Sequence, residues 1–87
     1  MTASSHESPS SFEAICAWLI QKIAQELGVP EHQVKIDEEF GNLGLGSRQA
    51  ILITGDLEDF LRRDELDPSL LWDFPTIDKL ARHLSGG

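Results

Sequence analysis

The stretch Gly44-Leu45-Gly46-Ser47-Arg48-Gln49-Ala50-Ile51-Leu52-Ile53-Thr54-Gly55-Asp56-Leu57-Glu58-Asp59-Phe60-Leu61-Arg62-Arg63 decides how the chain folds. Its glycines permit a sharp entry. Beyond them, residues placed about 100° apart put Ala50, Ile53, Thr54, Leu57, Phe60 and Leu61 on one side. That spacing predicts a helix from residue 47 to about residue 63. Arg48, Leu52, Gly55, Asp56, Asp59 and Arg63 fall on the opposite face. Ser47 is its N-cap or a residue of its first turn.

Working outward, an earlier helix is predicted over residues 11–27, where Phe12, Ile15, Cys16, Leu19, Ile23 and Leu27 recur at three- and four-residue steps. Ser10 and Glu13 match a capping box at its start, and Gly28-Val29-Pro30 supplies a stop. Residues 30–46 form a long connection with one short helical turn at residues 30–34. Val34, Ile36, Phe40, Leu43 and Leu45 are its anchors to a core. Later, a short helix at residues 69–72 buries Leu70 and Leu71, and Pro75 bars its continuation. A last helix begins with Thr76 as N-cap and carries Ile77, Leu80, Ala81 and Leu84 on one stripe. No segment alternates convincingly enough to be a strand. Each stripe must be buried against the others, so the fold class is a small all-α bundle: three main helices plus a short third helix, with a long loop between the first and second.

Composition narrows the function. An 87-residue chain is one domain, buries only about 60% of its unfolded surface and has little room for an enclosed active site. Fifteen acidic against seven basic residues give a net charge of −8, which disfavours nucleic acid and anionic membrane and favours basic patches on protein partners. The lone Cys16 has no internal disulfide partner, and no run approaches the roughly 18 apolar residues of a membrane span. The Ser-rich start lacks the basic and apolar regions of a secretory signal, so the expectation is a cytoplasmic monomer with a flexible tail at 1–10 and a folded domain at 11–87. Met1 and the tail favour a free-standing or N-terminal domain, while Gly86-Gly87 equally suits a cut end within a longer protein.

Ser47 is the first chemical candidate, because a serine at a helix mouth after a Gly-rich turn exposes its hydroxyl beside free backbone N–H groups. On position alone it is an ordinary helix cap. Leu52, ringed by Arg48, Gly55, Asp56, Asp59 and Arg63, reads either as a scattered surface leucine or as the apolar centre of a docking patch. Cys16 lies on an apolar stripe and reads as a core thiol. His6, His32 and His83 have no metal-ligand spacing, and a Ser47–His83 pair has neither an oxyanion hole nor a pocket. Asp37, Glu38 and Glu39 read as a solvated loop edge. Gly41, Gly44 and Gly46 lack the strand and lysine of a nucleotide-binding loop. Trp18 and Trp72 read as core or half-buried residues.

Three segments change the weighting at Ser47. Phe40-Gly41-Asn42-Leu43-Gly44-Leu45-Gly46-Ser47 resembles the attachment motif of acyl carrier domains, and Gly55-Asp56-Leu57-Glu58 looks like the middle of their second helix. Leu66-Asp67-Pro68-Ser69-Leu70-Leu71-Trp72-Asp73-Phe74-Pro75-Thr76-Ile77 is similar to the loop, third helix and start of the fourth helix in polyketide synthase carriers. The resemblance runs in register over residues 12–84. It implies a four-helix acyl carrier protein that catalyses nothing itself. A separate phosphopantetheinyl transferase would move 4′-phosphopantetheine from coenzyme A to Ser47, and the arm's thiol would hold an acyl group as a thioester. By the same resemblance Leu71 and Trp72 are acyl-contact candidates. The partners are an acyl-loading enzyme and a downstream ketosynthase or acyl-modifying enzyme.

The chain departs from the usual pattern in having Gly46 where many carriers have Asp and Arg48 where they have Leu or Met. With the Gly-Asp-Leu-Glu and Trp-Asp-Phe-Pro-Thr segments, the Gly-Ser pair resembles carriers served by fatty acyl-AMP ligases. Two other readings stand beside it: a peptidyl carrier with an aminoacyl cargo, and an acidic helical adaptor that is never modified.

Overall fold

The structure, a computed structural model, describes residues 11–63 and 66–86. Ser11 starts the first helix, α1 (Phe12–Leu27): its Oγ accepts the N–H of Ala14 at 3.1 Å, and Ile15, Cys16, Leu19, Ile23 and Ala24 are buried. The cap therefore falls one residue after the expected Ser10, which lies outside the described residues. This shift makes Ala14 the third helical residue, so Glu13 cannot close a capping box; it lies in the first turn, where the helix dipole favours an acid. Gly28 ends α1 at φ 69, a left-handed conformation that glycine adopts without steric cost.

The long connection holds more structure than the sequence suggests. After a 3₁₀ turn at Glu31–Gln33, the chain runs back against the segment that enters the last helix. Ile36 O accepts from Asp78 N at 3.0 Å, Glu39 forms an antiparallel bridge with Thr76, and Phe40 N donates to Pro75 O at 2.8 Å. Phe40 then opens α2 (Phe40–Leu43), which Gly44 terminates at φ 100. Val34, Phe40 and Leu45 are buried as expected and Leu43 is partly buried, but Ile36 is 37% exposed because its backbone rather than its side chain makes the anchor.

The decisive stretch forms α3 (Ser47–Leu61), with Ala50, Ile53, Thr54, Leu57 and Leu61 buried. Thr54, the one polar residue on that stripe, satisfies its hydroxyl by donating to Ala50 O at 2.7 Å. Phe60 is only partly buried and stacks on Trp18 of α1, ring centroids 5.3 Å apart. The helix stops at Arg62 rather than Arg63, with Arg62 in the left-handed region at φ 57. Glu58 reaches past this end to accept Leu66 N at 2.8 Å.

The short α4 (Leu70–Asp73) buries Leu71, leaves Leu70 partly covered and exposes half of Trp72. Thr76 Oγ1 then caps α5 (Ile77–Leu84) by accepting Lys79 N at 3.1 Å, and Ile77, Leu80, Ala81 and Leu84 are all buried. The far end of α5 is held by Arg63, whose guanidinium donates to Leu84 O at 2.9 Å. α1 packs chiefly on α5 and more lightly on α3, and all three contribute to one continuous core with Phe40 and Leu71. Among the described residues there is no strand, and no helix is long and apolar enough to cross a membrane.

Candidate functional site

Ser47 is the first residue of α3 and is exposed. What holds it there is buried on either side: Leu45 precedes it and Ala50 follows, both in the core, so the chain between them is pushed to the surface. Gly46 is the N-cap residue. Its N–H is bound by the Gln49 side chain at 2.8 Å, and its carbonyl accepts the first helical bond from Ala50 N at 2.9 Å. This is half of a capping box, because glycine has no side chain to reach back to the first turn. The N–H groups of Ser47, Arg48 and Gln49 find no acceptor among the described residues. Ser47 is thus a helix-start residue and not the cap.

The electrostatics match. No acid lies in the first turn of α3, and exposed Arg48 does. An exposed hydroxyl, three open donors and a neighbouring cation suit a phosphate ester. One turn beyond Ser47, on the same side of the helix, Ile51 is 57% exposed, and Leu52 beside it is 52% exposed. Ile51 belongs to neither face in the sequence reading; measuring angles from Ser47 rather than from the apolar stripe would have found it.

The remaining sequence candidates divide. Gly55 is exposed with open space where a side chain would stand, and Asp59 is exposed too. Asp56, in contrast, turns toward α1 and forms an ion pair with Lys22, while Arg63 is engaged at the end of α5. Leu71 is wholly in the core, and Trp72, read from sequence as core or half-buried, is half exposed on α4. Cys16 is buried, and burial foremost, with Asp78's charge adding to it, pushes its thiol above the ordinary value of 9.0. His32 is exposed on the 3₁₀ turn and His83 stacks on Phe74 with ring centroids 4.1 Å apart; His6 lies outside the described residues. Among the described residues no group of three or more His, Cys, Asp or Glu side chains could hold a metal ion. Two shallow grooves, one along Trp18, Lys22 and Asp56 and one along Phe74, Arg82 and His83, both lie away from Ser47.

Residues 17–84 match the family model for the phosphopantetheine attachment site. The chain is 34% identical over 68 residues to a phenolphthiocerol/phthiocerol polyketide synthase of Mycobacterium tuberculosis, covering 78% of this chain but 4% of that synthase polypeptide. It is also 34% identical over 74 residues to the polyketide synthase PksM of Bacillus subtilis, covering 85% of this chain and 2% of that synthase. Among solved structures, a free-standing peptidyl carrier protein of Acinetobacter baumannii superposes with a TM-score of 0.83 at 36% identity, covering 88% of this chain and 95% of its own. The acyl carrier protein Asl1650 of Anabaena sp. PCC 7120, described as having a variant phosphopantetheinylation-site sequence, gives 0.81 at 39% identity, with 92% and 90% covered. With this all-helical architecture, the chain belongs to the phosphopantetheine attachment-site family, the carrier domains to which 4′-phosphopantetheine is covalently attached.

Proposed function

We propose that Ser47 receives 4′-phosphopantetheine and that the chain carries acyl intermediates for polyketide or lipid-type biosynthesis. The observation that carries this reading is the exposed Ser47 hydroxyl at an uncapped helix start within the matched segment. Exposure lets a separate transferase bring coenzyme A to Ser47 Oγ, and the buried Leu45 and Ala50 hold that oxygen at a fixed place on the surface. When attached, the arm supplies a terminal thiol that holds the cargo as a thioester and keeps it at high effective concentration for a docked enzyme. The chain's own part is presentation, with no catalytic step. Partners dock over Arg48, Ile51, Leu52, Gly55 and Asp59, with Asp56 at the margin because Lys22 already engages it.

The loading enzyme in this reading is a fatty acyl-AMP ligase, supported by the Gly46-Ser47 pair together with Gly55-Asp56-Leu57-Glu58 and Trp72-Asp73-Phe74-Pro75-Thr76. A second reading, an aminoacyl cargo, draws on the 36% identity to a peptidyl carrier protein. Loading assays with fatty acid and amino acid adenylating enzymes separate the two. The primary test is incubation with coenzyme A and a broad-specificity phosphopantetheinyl transferase, followed by mass spectrometry. One phosphopantetheinyl group is expected on the wild type and none on Ser47→Ala; no gain with several different transferases would leave an unmodified adaptor instead.

A further inference from the structure

We infer that the phosphate of the arm is the N-terminal cap that α3 lacks, so that modification tightens the first turn of α3 and stabilises the whole fold. This rests on the reading of Ser47 as the attachment residue. The two other long helices supply their own caps, Ser11 Oγ for α1 and Thr76 Oγ1 for α5, each accepting a first-turn N–H at 3.1 Å. α3 begins at Gly46, which has nothing to offer, and the Gln49 amide oxygen is already engaged by Gly46 N. The donors of Ser47, Arg48 and Gln49 therefore stay open toward solvent.

Charge gives a separate argument. The first turns of α1 and α5 carry an acid, Glu13 and Asp78, as the helix dipole favours, whereas that of α3 carries Arg48 and no acid. A cation at that position is repelled by the helix unless an anion faces it. A phosphodiester on Ser47 keeps one negative charge and free acceptor oxygens, answering both the open donors and the misplaced cation. Glycine at position 46 is not demanded by the backbone, since φ −95 and ψ 176 are open to any residue. A Cβ there would meet only Gln49 Oε1, at 3.4 Å. The missing cap thus follows from the residue and not from a constraint of the turn.

The test compares the full chain before and after modification, by thermal melting at low ionic strength and by amide hydrogen exchange. Mass spectrometry comes first: absence of an arm would defeat the reading of Ser47, while presence of an arm isolates the capping question. The modified wild type is expected to melt about 4 °C or more above the unmodified chain. Exchange at Arg48 and Gln49 is expected to slow about fivefold. Gly46→Asp supplies a carboxylate cap, so it should raise the melting point of the unmodified chain and shrink the gain from modification. Arg48→Gln removes the cation and should narrow the gain as well, independently of how well a transferase accepts Asp at position 46. Equal melting of modified and unmodified wild type overturns the inference. So does a gain undiminished in both variants, which would mark packing of the arm on the surface.

Discussion

Two hydroxyl- or thiol-bearing residues in this chain have opposite fates, and the difference lies in the direction each side chain takes from its helix. Ser47 stands at a helix start with its hydroxyl in solvent, while Cys16 points from α1 into the core. Burial keeps the Cys16 thiol protonated, so its contribution to stability is full below the ordinary thiol value of 9.0 and is lost as pH rises above the raised value of the folded state. At pH 8 the folded unmodified chain should therefore react with iodoacetamide about tenfold or more slowly than the urea-unfolded chain. A chain bearing the arm should take one label, on the arm; prompt double labelling of the folded protein would show that Cys16 is accessible. Both fates were legible in the sequence, Cys16 from its place on a periodic stripe and Ser47 from the glycines before it. The exposure of Ile51 is missed when faces are drawn from the apolar stripe, because it falls between the stripe and the opposite face, and shows only when angles are measured from Ser47. The ion pair that draws Asp56 toward α1 was not legible, since it depends on how Lys22 is placed by packing.

Helix ends carry the local logic of the fold. Gly28 and Thr76 were legible as stop and start because each acts through its immediate neighbours. The helical turn at Phe40–Leu43 was not, since four residues containing Gly41 and Asn42 show no period and a single turn gains little from propensity. It forms because Phe40 is fully buried and its N–H is fixed by Pro75 O. Thr76 stands at this junction: it caps α5 and pairs with Glu39 in the loop that leads to Ser47. Thr76→Ala is thus expected to cost about 1–2 kcal/mol, seen as a fall of roughly 4–16 °C in melting temperature. Ser11→Ala, which removes a cap at the outer end of α1, should cost less. A Thr76→Ala chain that melts like the wild type would mean that the cap contributes nothing beyond what water supplies.

At the scale of the whole molecule, a charge of −8 and the mixed sign of the docking surface proposed on α3 pull in different directions. Self-repulsion opposes the compact state, and added salt screens it: the Debye length falls from about 30 Å at 0.01 M to about 8 Å at 0.15 M. Folding stability, followed as the urea midpoint, should rise over that range. Docking on that proposed surface would depend on a smaller set of charges. Around exposed Ile51 and Leu52 stand Arg48 and Asp59, of opposite sign, and Lys22 balances Asp56 from α1. A partner that recognises this face meets an apolar centre with little net local charge, so its approach is governed by contact more than by long-range attraction. The loading rate measured with a partner enzyme should accordingly change by less than about tenfold across the same salt range, whereas steering by the global acidic field changes rates by about 10- to 1,000-fold. Leu52→Glu, on an exposed position, should leave helicity and melting within about 0.5 kcal/mol of wild type while slowing loading. A steep loss of loading with salt, combined with an unaffected Leu52→Glu variant, would move the docking surface from the apolar face of α3 to the acidic surface as a whole.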